Sequence, residues 1–238
     1  MAPKSTPTAF TRKLLAWYAR AARDLPWRRT RDPYAIVVSE FMLQQTQVSR
    51  VTEYYPRFLA RFPTLERLAR ARPQAVREAW DGLGYYARAR NLHALAREVS
   101  GNGGRVPGDP AELIKLPGVG RYTAGAVACF AYEKPVPTVD TNVRRVLERV
   151  FGNAERGMRN AELWGLASKL VPKQGKRAWR FNQALMELGA LVCVARKPKC
   201  PACPVNRECR TFSAAPSPRA RRAARACPPP SRKSPAAS

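Results

Sequence analysis

The spacing of apolar side chains along the chain predicts helices throughout. An N-terminal amphipathic helix is indicated by five positions on one face: Phe10, Leu14, Trp17, Tyr18 and Ala21. A second helix should begin at Asp32-Pro33, where a capping residue precedes a proline, and run through Glu40 to Gln47. Its residues up to Ser39 are almost wholly apolar, so it should be buried. No segment shows the alternation of a half-buried strand, and the predicted fold class is therefore all-α.

A turn rich in glycine and proline interrupts the apolar pattern in the middle of the chain. One segment ends at Leu116 and the next starts at Arg121, with Pro117, Gly118 and Gly120 between them. Glycine admits positive φ and close backbone approach, and the second helix would begin with free N–H groups. Such a helix start binds anions, so the turn predicts a contact with a DNA phosphate. A simple tight turn between helices is the alternative.

An aspartate follows this turn after an extended segment. Asp140 precedes four apolar residues that share one helical face: Val143, Val146, Leu147 and Val150. Its carboxylate is therefore predicted to cap the N-terminus of a helix over residues 140–151. Further helices are predicted over residues 160–171 and 177–192.

The composition is strongly basic: 43 Lys+Arg against 17 Asp+Glu give 238 residues a net charge of +26. This excess favours a nucleic-acid partner over an anionic membrane surface, although a high-GC genome also enriches arginine. Residues 211–238 contain no acidic residue and little to bury, so we expect a disordered basic tail. No apolar run reaches the roughly 20 residues of a membrane span, and we expect no membrane contact and a soluble, cytoplasmic, nucleoid-associated protein.

Four of the six cysteines lie within 17 residues, in the spacing C-x6-C-x2-C-x5-C: Cys193, Cys200, Cys203 and Cys209. Four thiolates at this density indicate a single tetrahedral zinc ion or an iron–sulfur cluster, and the residues alone leave both open. Cys129 lies among apolar residues of a predicted helix and is expected in the core.

The hairpin and the aspartate resemble the helix-hairpin-helix, Gly/Pro-rich loop and aspartate signature of base-excision DNA glycosylases. Over about residues 10–210 the chain resembles the MutY family of adenine DNA glycosylases. Six stretches carry this resemblance: SEFMLQQTQV, GLGYYARARNLH, LPGVGRYTAGAV, VDTNVRRVL, FNQALMELGALVC and the cysteine loop. The resemblance implies a two-lobed helix-hairpin-helix fold whose four cysteines bind a C-terminal [4Fe–4S] cluster. It implies a six-helix domain over residues 25–135, a cluster domain of residues 9–24 plus 136–210, and disordered segments 1–8 and 211–238.

Removing a base from deoxyribose needs an acid for the leaving group and an anion for the sugar cation. Glu40 lies among apolar residues, where burial raises a carboxyl pKa, although a paired glutamate on a helix surface is the alternative. The resemblance implies that Glu40 protonates adenine at N7 and that Asp140 stabilises or traps the sugar cation. It makes Asn142 a hydrogen-bond partner in the active site and places Tyr122 beside the reacting nucleotide.

The resemblance also implies DNA contacts. Gln45 and Tyr85 match residues that enter the duplex around the orphaned purine, and Gly118, Gly120 and Arg121 match the phosphate-binding hairpin. The expected partner is double-stranded DNA that contains a mispair, bound by a monomer.

Three features qualify the expected chemistry. Tyr122 stands where bifunctional relatives have a lysine that forms a Schiff base, so little or no strand cleavage is expected. Thr141 replaces a glycine that is common in the family, and no counterpart of the usual 8-oxoguanine-reading domain is seen in residues 211–238. We therefore predict a monofunctional glycosylase that removes adenine opposite guanine or 8-oxoguanine. A thymine or uracil glycosylase acting at G·T or G·U and a non-enzymatic DNA-binding protein are the alternatives.

Overall fold

The computed structural model describes residues 7–152 and 157–214, which form helices and loops without any β-strand among them. The predicted all-α class is confirmed. The α-helices of the described ranges are α1 (Pro7–Ala21), α2 (Pro33–Leu43), α3 (Val48–Arg61), α4 (Leu65–Ala69), α5 (Pro73–Ala79), α6 (Ala87–Gly101), α7 (Pro110–Leu113), α8 (Arg121–Tyr132), α9 (Thr141–Phe151), α10 (Asn160–Leu170), α11 (Gly175–Leu191) and α12 (Arg210–Ala214). Three single-turn 3-10 helices cover Pro26–Arg28, Cys200–Ala202 and Asn206–Glu208. None of these helices is both long and apolar enough to cross a membrane.

The larger hydrophobic cluster forms around α2, which packs on α3, α6 and α8. Nine of the eleven residues of α2 are buried, because the helix is apolar on every side. Glu40 is buried along with its apolar neighbours. The composition of α2 therefore places a carboxyl group inside the protein.

The second hydrophobic cluster joins the first helix of the chain to the last ones. The apolar face of α1 packs on α11, which also packs on α9. Phe10 is fully buried, and its ring makes edge contacts with Phe151 at 5.0 Å and Phe181 at 6.5 Å between centroids. The chain therefore crosses between the two clusters after α1 and again after α8.

The second crossing, residues 133–140, is an extended segment that Asn182 holds in place. The buried Asn182 side chain donates to the carbonyl of Val136 at 2.8 Å and accepts from the N–H of Thr138 at 3.3 Å. An amide side chain that satisfies both groups of a passing backbone fixes its path. This segment leads directly to Asp140, whose position between the clusters is fixed as a result.

Two predicted helix ends are wrong. The second helix ends at Leu43 rather than Gln47, because side-chain donors from α6 take over the carbonyls of its last turn. The helix before the hairpin ends at Leu113 rather than Leu116. There the N–H of Leu116 bonds to the carbonyl three residues back, which tightens the chain into turns.

Both segments predicted to be disordered overlap helices of the structure. The first helix begins at Pro7, inside the segment 1–8, since proline suits the first turn of a helix. At the other end, residues 211–214 continue α12. The Thr211 hydroxyl donates to the carbonyl of Arg149 and the Arg210 guanidinium donates to that of Phe151, both at 2.8 Å. Residues 1–6 and 215–238 lie outside the described residues.

Candidate active site

A cleft of about 720 Å³ opens between the two hydrophobic clusters. Its wall is formed by α2 and the loop that follows it, the first turns of α8 and α9, and the C-terminal half of α11. The structure brings the four predicted catalytic residues together here: Glu40, Tyr122, Asp140 and Asn142.

Glu40 is the buried acid of the cleft. It is 4 % exposed, and its Oε2 has no hydrogen-bond partner among the described residues. Burial raises the pKa of Glu40 to about 7; a hydrogen bond from Tyr122 opposes the rise, and the charge of Asp140 adds to it. This carboxyl group therefore stays partly protonated near pH 7, whereas an exposed glutamate would be ionised.

Tyr122 lies in the first turn of α8, beside Glu40. Burial raises the pKa of Tyr122 well above its usual value, and the charges of Glu40 and Asp140 act in the same direction. The phenol therefore keeps its proton at neutral pH and can donate it to Glu40 in a hydrogen bond.

Asp140 caps α9 as the sequence predicted. Its Oδ1 accepts from the N–H of Val143 at 2.6 Å and its Oδ2 accepts from Nδ2 of Asn142 at 3.1 Å. Both oxygens have partners on one side, so the carboxylate is fixed in orientation while it borders the cleft. The two acidic groups thus differ: Glu40 has an oxygen without a partner, and Asp140 is held by donors.

Sequence reasoning missed the residue that orients Asn142. Arg145, one turn further along α9, donates from Nη2 to Oδ1 of Asn142 at 2.7 Å and to the carbonyl of Gly189 at 2.8 Å. Its Nε donates to the carbonyl of Cys193, also at 2.8 Å. Because Oδ1 is occupied in this way, Nδ2 of Asn142 is left to face Asp140. A Cβ on Gly189 would lie 2.7 Å from Cβ of Asn142, so only glycine lets α9 approach α11 this closely.

Polar residues at the far end of the cleft were also missed. Arg28 donates to Gln183 Oε1 and to Glu187 Oε2, both at 2.8 Å, and Arg23 donates to Glu187 Oε1 at 2.8 Å. Burial alone would raise the pKa of Glu187, but the hydrogen bonds from the two arginines outweigh it and hold this pKa at about 2. Trp27 adds a largely buried indole to the same wall. Gln183 and Glu187 are polar residues on the apolar face of the predicted helix over 177–192, and this pattern could have indicated a polar wall in the cleft.

The two residues expected to enter the duplex share an unusual backbone conformation. Gln45 has φ 59° and Tyr85 has φ 49°, in the left-handed region that non-glycine residues rarely occupy. Gln45 lines the cleft, and the Tyr85 side chain is 62 % exposed. Both side chains are thus presented from tight loops, that of Gln45 in the cleft wall and that of Tyr85 on the surface.

The hairpin before α8 leaves a helix N-terminus open. Gly118 has φ +75°, and a Cβ there would lie 2.7 Å from Asn91 Cβ and 2.9 Å from Phe41 Cε1, so glycine is required twice over. Gly120 is the N-cap of α8 and has no side chain to bond the first N–H groups. The guanidinium of the exposed Arg121 stacks over the Trp164 ring, 4.0 Å from its centroid.

The four cysteines follow α11 and surround the two 3-10 helices of the C-terminal loop. Burial raises the pKa of Cys203 to about 11, and the thiols of Cys193, Cys209 and Cys200 act in the same direction, so all four lie near one another. Arg149 donates to Sγ of Cys193 at 3.4 Å. Within residues 7–152 and 157–214, no three Cys, His, Asp or Glu side chains are close enough to hold one metal ion.

The fold and the site together define a helix-hairpin-helix protein with a carboxylate-lined cleft. The sequence profile of the HhH-GPD superfamily of base excision DNA repair proteins matches residues 38–169, and the chain belongs to this superfamily.

Curated relatives carry a common name. The adenine DNA glycosylase of Rattus norvegicus is 47 % identical over 216 residues, which are 85 % of this chain and 42 % of that protein. The adenine DNA glycosylase of Mycolicibacterium smegmatis is 49 % identical over 205 residues, 85 % of this chain and 69 % of that protein. The chain thus spans about four-tenths of the length of the rat relative. The expected resemblance to this family is confirmed.

Solved structures of the same fold include other glycosylases. A thermostable thymine-DNA glycosylase is 35 % identical and superposes with a TM-score of 0.82 over 88 % of this chain and 97 % of its own. An endonuclease III in a non-covalent complex with DNA is 26 % identical, with a TM-score of 0.76 over 90 % of this chain and 98 % of its own. The two-lobed helix-hairpin-helix architecture that the sequence predicted is confirmed by these superpositions.

Proposed function

We propose that the protein is a monofunctional DNA glycosylase of base excision repair that removes adenine mispaired with guanine or 8-oxoguanine. The observation that carries the proposal is the buried Glu40 carboxyl group, with a pKa of about 7 and an Oε2 without a partner, across the cleft from Asp140. A proton donor paired with a fixed carboxylate is the arrangement that cleavage of a glycosidic bond requires.

Glu40 is the proposed acid. Its proton passes to N7 of an adenine extruded into the cleft, and the electron pair of the C1′–N9 bond leaves with the base. The Tyr122 hydroxyl holds the carboxyl group in place through the hydrogen bond that it donates. The free Oε2 is the atom that can face the base, because no other described group occupies it.

Asp140 is the proposed anion for the other half of the reaction. As the C1′–N9 bond breaks, the sugar becomes cationic, and a fixed carboxylate stabilises that charge better than mobile water. Asn142 and the N–H of Val143 hold the carboxylate without neutralising it. Water then adds to C1′ and gives its proton to the Glu40 carboxylate formed in the first step, which leaves free adenine, an abasic deoxyribose and the starting enzyme.

Tyr122 supports the monofunctional assignment. A strand-cleaving relative needs an amine at C1′ to form a Schiff base, and a phenol that keeps its proton cannot supply one. The lining of the cleft that the structure describes contains no lysine.

DNA is the proposed partner because the open α8 N-terminus and the basic surface suit phosphates. Gly118 and Gly120 shape that terminus, and Arg121 lies at its first turn. Gln45 and Tyr85 are the proposed contacts inside the duplex, since Gln45 lines the cleft and Tyr85 is largely exposed on a turn of the same left-handed type.

We also propose that Cys193, Cys200, Cys203 and Cys209 bind a [4Fe–4S] cluster. The donor set fits, because four thiols lie together, and a four-iron cluster gives each thiolate its own iron, so they need not share one ion. The cluster would brace the loop that the Arg145 and Arg149 hydrogen bonds connect to α9.

Anaerobically purified protein is expected to contain about four iron atoms per chain and to be brown. Metal analysis of the parent and of a Cys200→Ser variant checks this. Cys129→Ser is the control, since Cys129 is buried in the larger hydrophobic cluster, around α2. Stoichiometric zinc without iron would contradict the cluster assignment.

A panel of mispaired duplexes tests the proposed function. Adenine should be released from A·G and A·8-oxoguanine duplexes, and fully paired A·T duplexes serve as controls. Release of thymine or uracil opposite guanine with adenine untouched would assign the alternative activity, which the thymine-DNA glycosylase relative exemplifies. Binding without release of any base would mean a non-enzymatic DNA-binding role.

The pH dependence follows from Glu40. The acid must be protonated to act, and its pKa is about 7, so the single-turnover rate should be level below this pH. Above it the rate should fall by about tenfold per pH unit as the proton is lost. Single-turnover release measured from pH 5.5 to 9 gives the profile; a rate that rises through pH 7 would exclude Glu40 as the acid.

A further inference from the structure

Arg88 occupies a position where a cation is doubly unfavourable. It is the second residue of α6, near the positive end of the helix dipole, and it is 7 % exposed. Burial lowers the pKa of this guanidinium. A buried charge is retained only where enough hydrogen-bond acceptors surround it, and here the acceptors come from two separate loops.

The six contacts of Arg88 divide evenly between its two terminal nitrogens. Nη1 donates to the carbonyls of Phe41 at 3.0 Å, Met42 at 2.7 Å and Gln44. Nη2 donates to the hydroxyl of Thr46 at 2.9 Å and to the carbonyls of Leu83 and Gly84 at 3.1 Å each. One planar group therefore joins the loop after α2 to the loop before α6.

Two of these carbonyls precede the residues with left-handed backbone. The carbonyl of Gln44 is part of the peptide bond between Gln44 and Gln45, and that of Gly84 is part of the peptide bond between Gly84 and Tyr85. In each case φ of the next residue is the rotation that follows this peptide plane, so fixing the plane fixes one end of that rotation. Trp80 also helps to fix the peptide bond before Tyr85, since its Nε1 donates to the same Gly84 carbonyl at 3.2 Å.

We propose that Arg88 is a positioning residue that holds Gln45 and Tyr85 together in the left-handed conformation before DNA binds. The inference rests on the proposed function, in which these two side chains enter the duplex. A left-handed conformation at a non-glycine residue persists only where the surroundings impose it, and Arg88 supplies that constraint at both sites. The two loops are thereby presented as one preorganised wedge, and ordering them does not oppose binding.

The step that depends on Arg88 is extrusion of the adenine rather than cleavage of its bond. Arg88 is absent from the cleft lining that holds Glu40 and Asp140. Lysine would keep the charge, but it has one nitrogen with three donors in place of the two nitrogens that make six contacts, so it cannot hold both loops as fully. Arg88→Lys should therefore impair the reaction most where a paired base has to be displaced.

The test compares two substrates under single-turnover conditions. On an A·G duplex, Arg88→Lys should release adenine at least tenfold more slowly than the parent protein. The second duplex has adenine opposite a tetrahydrofuran abasic analogue, so no opposing base pairs with the adenine. On this duplex the rates of Arg88→Lys and of the parent protein should agree within about threefold. Arg97→Lys, the same substitution at an exposed position of α6, is the control and should match the parent on both.

The outcomes separate the inference from the proposed function. Equal loss on both substrates, or no loss on either, overturns the role of Arg88. A parent protein that releases no adenine from either duplex overturns the proposed function instead.

A stability measurement tests the same idea without DNA. Glycine adopts positive φ readily, so in a Gln45→Gly/Tyr85→Gly background the left-handed conformation at both positions costs little without the contacts of Arg88. Arg88→Lys should lower the Tm clearly in the parent and by less than half as much in the glycine background. Equal shifts, or failure to fold in both backgrounds, would make Arg88 a general structural residue and overturn the inference.

Discussion

Glu40→Gln is expected to slow adenine release by about 10²–10⁴-fold, the range that a general acid contributes. The amide has nearly the shape of the carboxyl group, so the cleft and its contacts with DNA should persist, but it has no proton to give to N7. The residual activity should also lose the decline above pH 7, because that decline reports the titration of Glu40 itself. Single-turnover release and duplex affinity, measured on the same preparation, separate chemistry from binding.

The same substitution should stabilise the fold at alkaline pH. The folded protein prefers the protonated form of Glu40. The contribution of this group to the free energy of unfolding is therefore fully present below the usual pKa of 4.5 and is lost as the pH rises to about 7. A pKa raised by that interval corresponds to roughly 3 kcal/mol of unfolding free energy at pH 8. Glutamine avoids this loss, so Glu40→Gln should have a higher Tm than the parent at pH 8 and nearly the same Tm at pH 4.5.

Glu53→Gln is the matched control, since Glu53 is an exposed residue of the neighbouring helix α3. It should leave both the rate and the Tm unchanged. A Glu40→Gln protein that turns over normally would remove Glu40 from the mechanism. One that is less stable at pH 8 would show that the buried carboxylate is stabilised by contacts beyond the hydrogen bond from Tyr122.

Local signals explain why part of the site could be predicted from the sequence. Asp140 is recognisable because an N-cap depends only on a short polar side chain and the helix that follows it. Glu40 is recognisable because a single acid within an apolar helix must be buried with its neighbours. The hairpin is recognisable because Gly118 carries its own backbone conformation.

The missed residues act across the fold. Arg145 contacts Asn142 within α9, but its other partners, Gly189 and Cys193, are more than forty positions away along the chain. Arg88 ends α2 early through contacts 46 and 47 positions back along the chain, and this end cannot be read from the local apolar pattern. Arginines on predicted helices are ordinarily solvated, so their number in this basic chain hides the few that are buried.

Asp140→Asn is expected to slow adenine release by about 10²–10³-fold while it barely alters stability. Asparagine is as good an N-cap as aspartate, so the bond from the N–H of Val143 should be retained and α9 should form normally. The negative charge is removed, however, and with it the stabilisation of the sugar cation, for which losses of this size are typical. The variant should therefore have a Tm close to that of the parent and a far lower single-turnover rate.

Asp32→Asn is the control for the cap, because Asp32 caps α2 through bonds from the N–H groups of Tyr34 and Ala35 and lies outside the cleft lining. Both variants should show similarly small changes in Tm, and only Asp140→Asn should lose activity. If Asp140→Asn loses stability along with activity, the carboxylate acts mainly through the helix that it caps. If it retains the parent rate, Asp140 is a capping residue alone and the charge that stabilises the sugar cation must come from another group in the cleft.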